Sequence, residues 1–448
     1  MSEATDGAFP DGFTWGVATS SYQIEGAVRE DGRGESIWDR FSHTPGRTVN
    51  GETGDIACDH YHRYRDDVAL MRELNLGAYR FSVSWPRVLP DGRGRVNEAG
   101  LDFYDRLVDE LLAAGIKPWV TLYCWDLPQA LEDQGGWPGR STVDAFTELV
   151  EAVTRRLGDR VRDYITVNEP FIMAYLGYGL GLHAPGRRDM TDALAAGHHA
   201  LLAHGRALEV VRANVPGARA GITLSLAPTY PLDADREADH EAARRDDVLF
   251  NRWFLDPLFG RGYPDDLARI TGGTMPQIRD GDLALIAAPG DFLGVNYYTP
   301  TYSSADPAIS DSLPHPDPGV ERTALNWPVE PGALTDLLAR IQRDYAPRSI
   351  LIAENGAAFD GDRVIDGRVA DPRRTAYLAG HLRAVHDAIA VGSPVEGYFA
   401  WSALDNFEWA EGYGKRFGIV HVDYETQGRT IKDSGRYLAR VATSNRLD

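Results

Sequence analysis

Residues 98–123 read EAGLDFYDRLVDELLAAGIKPWVTLY, an amphipathic run that stops at a glycine and gives way to a β-rich one. Leu101, Tyr104, Leu107, Val108, Leu111 and Leu112 recur at three- and four-residue spacing, which puts them on one stripe and predicts a helix over Glu98–Ala114. Asn97 is placed to cap its start and Gly115 to end it. The next run, Pro118–Tyr123, is short and apolar and predicts a strand, and Ala78–Ser84, upstream of the helix, predicts another. Strand, helix and strand in that order form the unit in which a crossover helix joins two parallel strands.

The alternation continues along the chain. Further strands are predicted at Phe13–Ala18, Tyr164–Asn168, Arg219–Leu226, Phe292–Tyr298, Ser349–Ala353 and Val395–Trp401, which makes eight in all. Helical patterns separate them, with no internal repeat, low-complexity tract or flexible linker. This favours an α/β chain folded as a single (β/α)8 TIM barrel, one catalytic domain over residues 1–448, against the three domains that length alone allows. A barrel takes roughly 250 residues, so roughly 200 are left for long βα loops, best placed at the catalytic face. The longest irregular segment, Thr299–Pro331, is rich in Pro, Ser and Asp and is expected to be a lid or a binding wall.

Hydrophobic residues make up 43% and charged residues 25% of the chain, a globular balance that excludes a disordered, collagen-like or disulfide-dense protein. The 66 acidic residues outnumber the 46 basic ones, and a net charge of -20 repels phosphates and anionic headgroups, so nucleic acid and membrane surfaces are not expected partners. Cys58 and Cys124 are too few for a disulfide framework and have no CxxC spacing, which suits a reducing compartment. The N-terminal MSEATDGAFP lacks the apolar core of a secretory signal, and no apolar run approaches the roughly 20 residues that cross a bilayer, so a cytoplasmic location is expected.

Residues at the C-terminal ends of barrel strands point into the mouth, and two of those ends carry glutamates. YITVNEP delivers Asn168 and Glu169, and SILIAENG delivers Glu354. A lone strand-end glutamate is ordinarily a solvated loop residue. Two aimed at one cavity raise the protonation midpoint of one of them, which is an acid/base arrangement. Other strand ends supply Gln23, Trp125, Asn296, Tyr298 and Trp401, with Glu408 and Trp409 close behind. Amides and carboxylates bind hydroxyls, and indole faces pack on the C–H faces of a pyranose, so a carbohydrate is the expected small-molecule partner. Most of the ten tryptophans are expected in the core.

These stretches resemble glycoside hydrolase family 1, the retaining β-glucosidase family: FTWGVATSSYQIEG, TLYCWDLPQAL, TVNEP, NYY, IAENG and WSALDNFEW occur in the family's order across nearly the whole chain. The resemblance implies that Glu169 is the general acid/base and Glu354 the nucleophile, with Arg80 and Tyr298 orienting Glu354. It implies that Gln23, Cys124, Trp125, Asn168, Asn296, Trp401, Glu408 and Trp409 line the glycone pocket and that Trp327 walls the aglycone side. The family has His where this chain has Cys124. A thiol is a weak donor and acceptor, so glycone affinity or selectivity is expected to shift by on the order of 1 kcal/mol.

Rival chemistries find less support. A Schiff-base aldolase needs a lysine at a catalytic strand end, and Lys117, Lys415 and Lys432 are placed elsewhere. GYGLGLHAPG lacks the flanks and spacing of a dinucleotide loop, and His60, His62, His198, His199 and His204 lack metal-ligand spacing, so no cofactor and no metal are expected. Within the family, Glu408 speaks against 6-phospho-glycosides and Glu169 against a thioglucosidase. The expected activity is exo-hydrolysis of cellobiose-like and aryl β-glucosides by double displacement, with possible transglycosylation. The alternatives are a β-galactosidase or β-fucosidase of the same family, or a weakly active carbohydrate-binding protein. Oligomeric state is not legible.

Overall fold

The structure, a computed structural model, describes residues 7–310 and 313–447. Its centre is a closed barrel of eight strands: β1 (Thr14–Ala18), β2 (Ala78–Ser82), β3 (Lys117–Thr121), β4 (Asp163–Asn168), β5 (Arg219–Ser225), β6 (Leu293–Asn296), β7 (Ile350–Asn355) and β8 (Val395–Trp401). Each pairs in parallel with its sequence neighbours, and β8 closes on β1 with Thr14 opposite Gly397 and Ala18 opposite Trp401. The chain is therefore a (β/α)8 barrel, with every expected strand present and its limits adjusted by up to two residues at either end.

Most strands are buried along their length because helices cover the outside and side chains fill the lumen, which is why they read as unbroken apolar runs. In the lumen Trp119 packs edge-on to Phe292 and Phe399, with ring centroids 5.5 Å apart in both pairs. That aromatic layer is a solid floor beneath the site. Pairing shifts register near the upper ends of β4, β6, β7 and β8, and such bulges re-aim the residues that follow.

The helix first read from sequence runs Glu98–Ala113 and buries Leu101, Tyr104, Leu107, Val108 and Leu111. Leu112 is 42% exposed, because it lies just beyond the edge of the stripe. Asn97 stands at the N-cap position but makes no cap: its amide donates instead to the carbonyls of Arg87 and Asp31, stitching two loops together. Gly115 follows the helix at φ +75°, the left-handed stop expected of it. The 299–331 segment is mostly irregular. It contains a short strand, Thr301–Ser303, paired with Thr229–Pro231, and a one-turn helix at Pro307–Ser310. Among the described residues no helix is long and apolar enough to cross a membrane.

A buried ionic cluster fixes the loops after β7 and β8. Asp405, four residues past β8, accepts from Lys432 Nζ at 2.7 Å, Arg416 Nη1 at 2.8 Å and the Gly418 amide at 3.0 Å. Lys432 also bonds Asp362 at 2.5 Å, and Arg374 joins Asp362, Asp371 and the Ala357 carbonyl. Burial pulls the Lys432 ammonium below its usual value, while Lys432 and Arg416 overcome burial and hold Asp405 low. Breaking such a cluster from one side leaves a buried charge without a partner, at a cost of about 3–5 kcal/mol. Lys432→Met is accordingly expected to lower the thermal unfolding midpoint by several degrees in a calorimetric scan at neutral pH. A variant as stable as the parent would show that the cluster is dispensable.

Candidate active site

At the upper ends of the strands lies a cavity of about 400 Å³, a size suited to a small sugar glycoside. It is lined by Gln23, Cys124, Trp125, Asn168, Glu169, Tyr298, Trp327, Glu354, Trp401, Glu408 and Trp409, residues drawn from loops and strand ends spread over nearly 400 positions of sequence. Arg80 and Asn296 stand behind this lining, each holding a glutamate from the rear.

Glu354, near the end of β7, accepts from Arg80 Nη1 at 2.5 Å on one oxygen and from the Tyr298 hydroxyl at 2.6 Å on the other. Arg80 is only 2% exposed and spends its remaining donors on Thr121 Oγ1, the Ala353 carbonyl and Asn168 Oδ1, so one guanidinium on β2 binds groups of β3, β4 and β7. The neighbour Asn355 donates to the Tyr297 carbonyl and accepts from the Tyr398 hydroxyl, clamping β7 to β6 and β8. A Cβ on Gly356 would come within 1.7 Å of the Trp401 carbonyl oxygen, so only glycine lets the chain leave the strand there.

Across the cavity Glu169 accepts from Asn296 Nδ2 at 2.8 Å, and the same amide reaches Asn168 Oδ1 at 3.2 Å. The chain Glu169, Asn296, Asn168, Arg80 and Glu354 thus links the two carboxyl groups through hydrogen bonds. Asn168 Nδ2 points to Cys124 Sγ at 3.4 Å, a soft contact, and burial beside Glu354 pushes the thiol well above its usual range. Glu169, Trp125 and Trp409 all hold positive φ, at 48°, 70° and 51°. Such conformations are costly for residues with a Cβ and gather at binding and catalytic sites.

The far wall is the loop after β8. Gln23 donates from one amide to Asn406 Oδ1 and the Phe407 carbonyl at 2.9 Å and to Glu408 Oε2 at 3.2 Å. Trp409 packs on Trp125 and Trp38 at 4.7 and 4.6 Å. The Trp125 indole N–H is not free for a ligand: it donates to the Asn168 carbonyl at 3.1 Å. Trp327 sits on the opposite rim, 5.5 Å from the Tyr298 ring, and its loop is anchored to the loop after β7 by Ala324 N to Ala358 O.

Four carboxyl groups, Glu169, Glu354, Glu408 and Glu411, and no lysine or arginine line this cavity. Burial, then the charge of Glu354, pushes Glu169 up to about 8, and the same two causes push Glu408 to about 8. Burial and Glu354 likewise keep the Tyr298 phenol protonated as a donor. One buried carboxylate, held by a cation and a phenol, therefore faces a carboxyl group that retains its proton near neutrality. That pairing can deliver a proton to one side of a bond and a nucleophile to the other.

Sequence reading missed several residues. Ile172, Leu176, Ser225, Phe250, Leu325 and Phe417 contribute to the wall, and so does His183 of the run GYGLGLHAPG. His183 lies against Trp125 and Trp38, and burial pulls its imidazole down to about 4. Its position beside WDLP in space carried no signal in sequence. The three lysines fall outside the cavity: Lys117 pairs with Asp163, Lys415 donates to the Ala324 carbonyl, and Lys432 lies in the ionic cluster. The histidines without metal-ligand spacing in sequence are tied elsewhere, His60 to Asp67, His62 to Asp59 and Glu30, His198 to Asp282, His199 to the Trp137 carbonyl and His204 to Thr166.

The sequence model of Glycosyl hydrolase family 1 matches residues 5–447. "Beta-glucosidase A" of Acetivibrio thermocellus is 46% identical over 99% of this chain and 100% of its own length. "Thermostable beta-glucosidase B" of Thermobispora bispora is 52% identical over 99% of this chain and 92% of its own. The solved structure of a β-glucosidase from Thermotoga maritima in complex with deoxynojirimycin superimposes with a TM-score of 0.95 at 45% identity, covering 98% of this chain and 100% of that one.

The electrostatics fix a titration test. Removing the Glu354 charge by Glu354→Gln is expected to lower the midpoint of Glu169, read from its carboxyl carbon by NMR, while burial keeps it above the ordinary carboxylate range. In the parent protein, kcat/KM should fall as pH rises through the raised Glu169 value. A midpoint unmoved by the substitution would show that the two groups do not sense each other.

Proposed function

The chain belongs to glycosyl hydrolase family 1, whose members hydrolyse O-glycosyl bonds, and on that premise we propose that it is a cytoplasmic, exo-acting, retaining β-glucosidase. Its substrates are terminal non-reducing β-D-glucosyl residues of cellobiose-like and aryl glucosides, and the whole of residues 1–448 serves as one catalytic domain. The observation that carries this reading is the facing pair, Glu354 held by Arg80 and Tyr298, Glu169 held by Asn296 with its proton retained.

In the proposed first step Glu354 attacks the anomeric carbon while Glu169 protonates the departing oxygen, a geometry that requires the carboxyl groups about 5–5.5 Å apart. The C1–O bond to the aglycone breaks as the C1–O bond to Glu354 forms. Having given its proton to the aglycone, Glu169 is left as a carboxylate, and because esterification removes the Glu354 charge it stays ionised and can act as base. It then takes a proton from water, the ester bond breaks, and glucose leaves with its β configuration retained. Gln23, Asn168, Glu408 and Cys124 offer polar atoms to the glycone, and Trp401, Trp409 and Trp125 offer ring faces. A 6-phosphorylated glycone would meet a lining with four carboxyl groups and no cation, which argues against phospho-glycosides.

Hydrolysis of 4-nitrophenyl β-D-glucoside by variants tests the assignment. Glu354→Gly should lose at least 10³-fold in kcat, and added azide should restore part of the rate while yielding the β-glucosyl product's anomer, the α-glucosyl azide. Glu169→Gln should lose rate most on poor leaving groups and least on activated phenols. Undiminished turnover in both variants would overturn the roles.

Cys124 invites a gain-of-contact test. Imidazole in place of the thiol restores a strong donor, and Cys124→His is expected to lower KM for the glucoside several-fold, consistent with about 1 kcal/mol for one neutral hydrogen bond. An unchanged KM across glucosides, galactosides and fucosides would show that this position does not touch the glycone.

A further inference from the structure

A second cavity, of about 310 Å³, lies toward the opposite end of the barrel from the glutamates. It is bounded by β5, by the start of β6 and by the loops that lead into β6 and β7. Ile222 and Leu293 form its inner wall, and Leu258 and Phe259 reach it from the end of the helix Trp253–Leu258. The rings of Phe259 and Tyr345 stand 5.1 Å apart on this wall, and Phe292, part of the aromatic floor, contributes from the barrel side. The Tyr345 hydroxyl is committed to Asp256 Oδ1 at 2.6 Å. Arg348, at the rim, is exposed to water.

One buried polar side chain breaks this apolar lining. His204, on the helix Met190–Asn214, is 2% exposed and borders the cavity. Its Nδ1 lies 2.7 Å from the Thr166 hydroxyl, which also reaches the Gly221 carbonyl at 3.2 Å. Its Nε2 has no hydrogen-bond partner among the described residues. Burial, helped by the charge of Arg212, pulls the imidazole down to about 3, so the ring is neutral.

The chemistry of this wall selects its occupant. A buried water needs about two to four polar partners, and the side chains here leave one nitrogen free. A sugar would leave most of its hydroxyls unpaired, and a hydrocarbon would leave Nε2 without a bond. A single aromatic ring with one hydroxyl meets both demands. The ring packs on Phe259, Tyr345 and Phe292, while the hydroxyl donates to a bare Nε2 or accepts from Nε2–H, so it suits either tautomer. A dry cavity of about 150 Å³ already accepts benzene, so the volume is ample. We infer that this cavity is a binding site for a neutral monocyclic phenol, seated with its hydroxyl on His204 Nε2. The site is separate from the catalytic cavity, and the inference does not depend on the β-glucosidase reading.

Isoleucine methyl NMR of the full chain tests this, because Ile222 lines this cavity and Ile172 lines the catalytic one. Phenol, titrated in the millimolar range, is expected to shift the Ile222 methyl signal saturably, and so is toluene, its near-isostere without the hydroxyl. His204→Leu keeps an apolar side chain of similar size and removes the nitrogen. It should move the ratio of the two dissociation constants at least about fivefold against phenol, the worth of one neutral hydrogen bond. That ratio is internal to each variant, so partial loss of folded protein leaves it unchanged. Ala288→Trp, at a half-exposed position of the lining, should fill the space and abolish the Ile222 response to both compounds. Turnover of 4-nitrophenyl β-glucoside should stay within about twofold of the parent, since Ala288 lies outside the catalytic cavity. An Ile222 signal that neither compound moves, a ratio unchanged in His204→Leu, or binding that survives Ala288→Trp would overturn the inference. So would a phenol response confined to Ile172, which would place the ligand in the catalytic cavity.

Discussion

Four carboxyl groups line one water-poor cavity that Arg80 backs with one buried guanidinium, and the arrangement of the site follows from that imbalance. Arg80 can satisfy one anion, and it is placed on Glu354. Glu169 and Glu408 are left beside that charge without a cation of their own, so burial and mutual repulsion keep their protons on. The same imbalance gives the two facing carboxyl groups opposite protonation states. In the proposed mechanism no separate device is needed to tell acid from nucleophile.

Such a placement has to be held rigidly, because an arginine that drifted by an ångström would serve either glutamate. The barrel supplies the rigidity. Arg80 projects from a strand whose flanks are hydrogen-bonded on both sides, and its other donors end on Thr121, Asn168 and the Ala353 carbonyl. Beneath it the Trp119, Phe292 and Phe399 layer leaves no room to sink. Above it, the loop carrying Glu408 and Trp409 is tied through Asp405 to Lys432, Arg416 and the C-terminal helix. Strain is confined to single residues: Glu169, Trp125 and Trp409 adopt left-handed φ values that an isolated chain would avoid, held there by packing and by bonds such as Glu169 N to Thr223 O at 2.8 Å.

The strands were legible because parallel barrel strands are buried on both faces, so ILIAE and YITVNE announce themselves as apolar runs ended by a carboxylate. The residues at strand ends were legible for the same reason, since only the mouth of a barrel accepts Glu, Asn and Gln there. What did not show was anything set by approach of distant loops. His183 reaches Trp125 from a run that resembled a nucleotide loop, and Asn296 stands behind Glu169 rather than on the lining. Asn97 bonds loop carbonyls where its position alone promised a helix cap. Periodicity describes a segment and its own core, whereas these contacts depend on where another segment happens to come to rest.

The apolar mouth and the raised acid are two consequences of one wall. Phe250, Leu226, Ile172 and Leu325 displace water from the entrance of the cavity, and it is loss of water, before any charge, that lifts Glu169. A more polar entrance would hydrate the carboxyl group, lowering the value that keeps its proton in place near neutrality. Residues of the entrance therefore act on the Glu169 proton through the water they exclude. Cys124 belongs to the same balance. Next to Asn168 and beside Glu354, a thiol adds neither charge nor strong hydrogen bonding, so it leaves the cavity drier than an imidazole would. A soft contact at Cys124 and a dry Glu169 are then one trade, made where the floor of the pocket meets the strands that deliver Glu169 and Glu354.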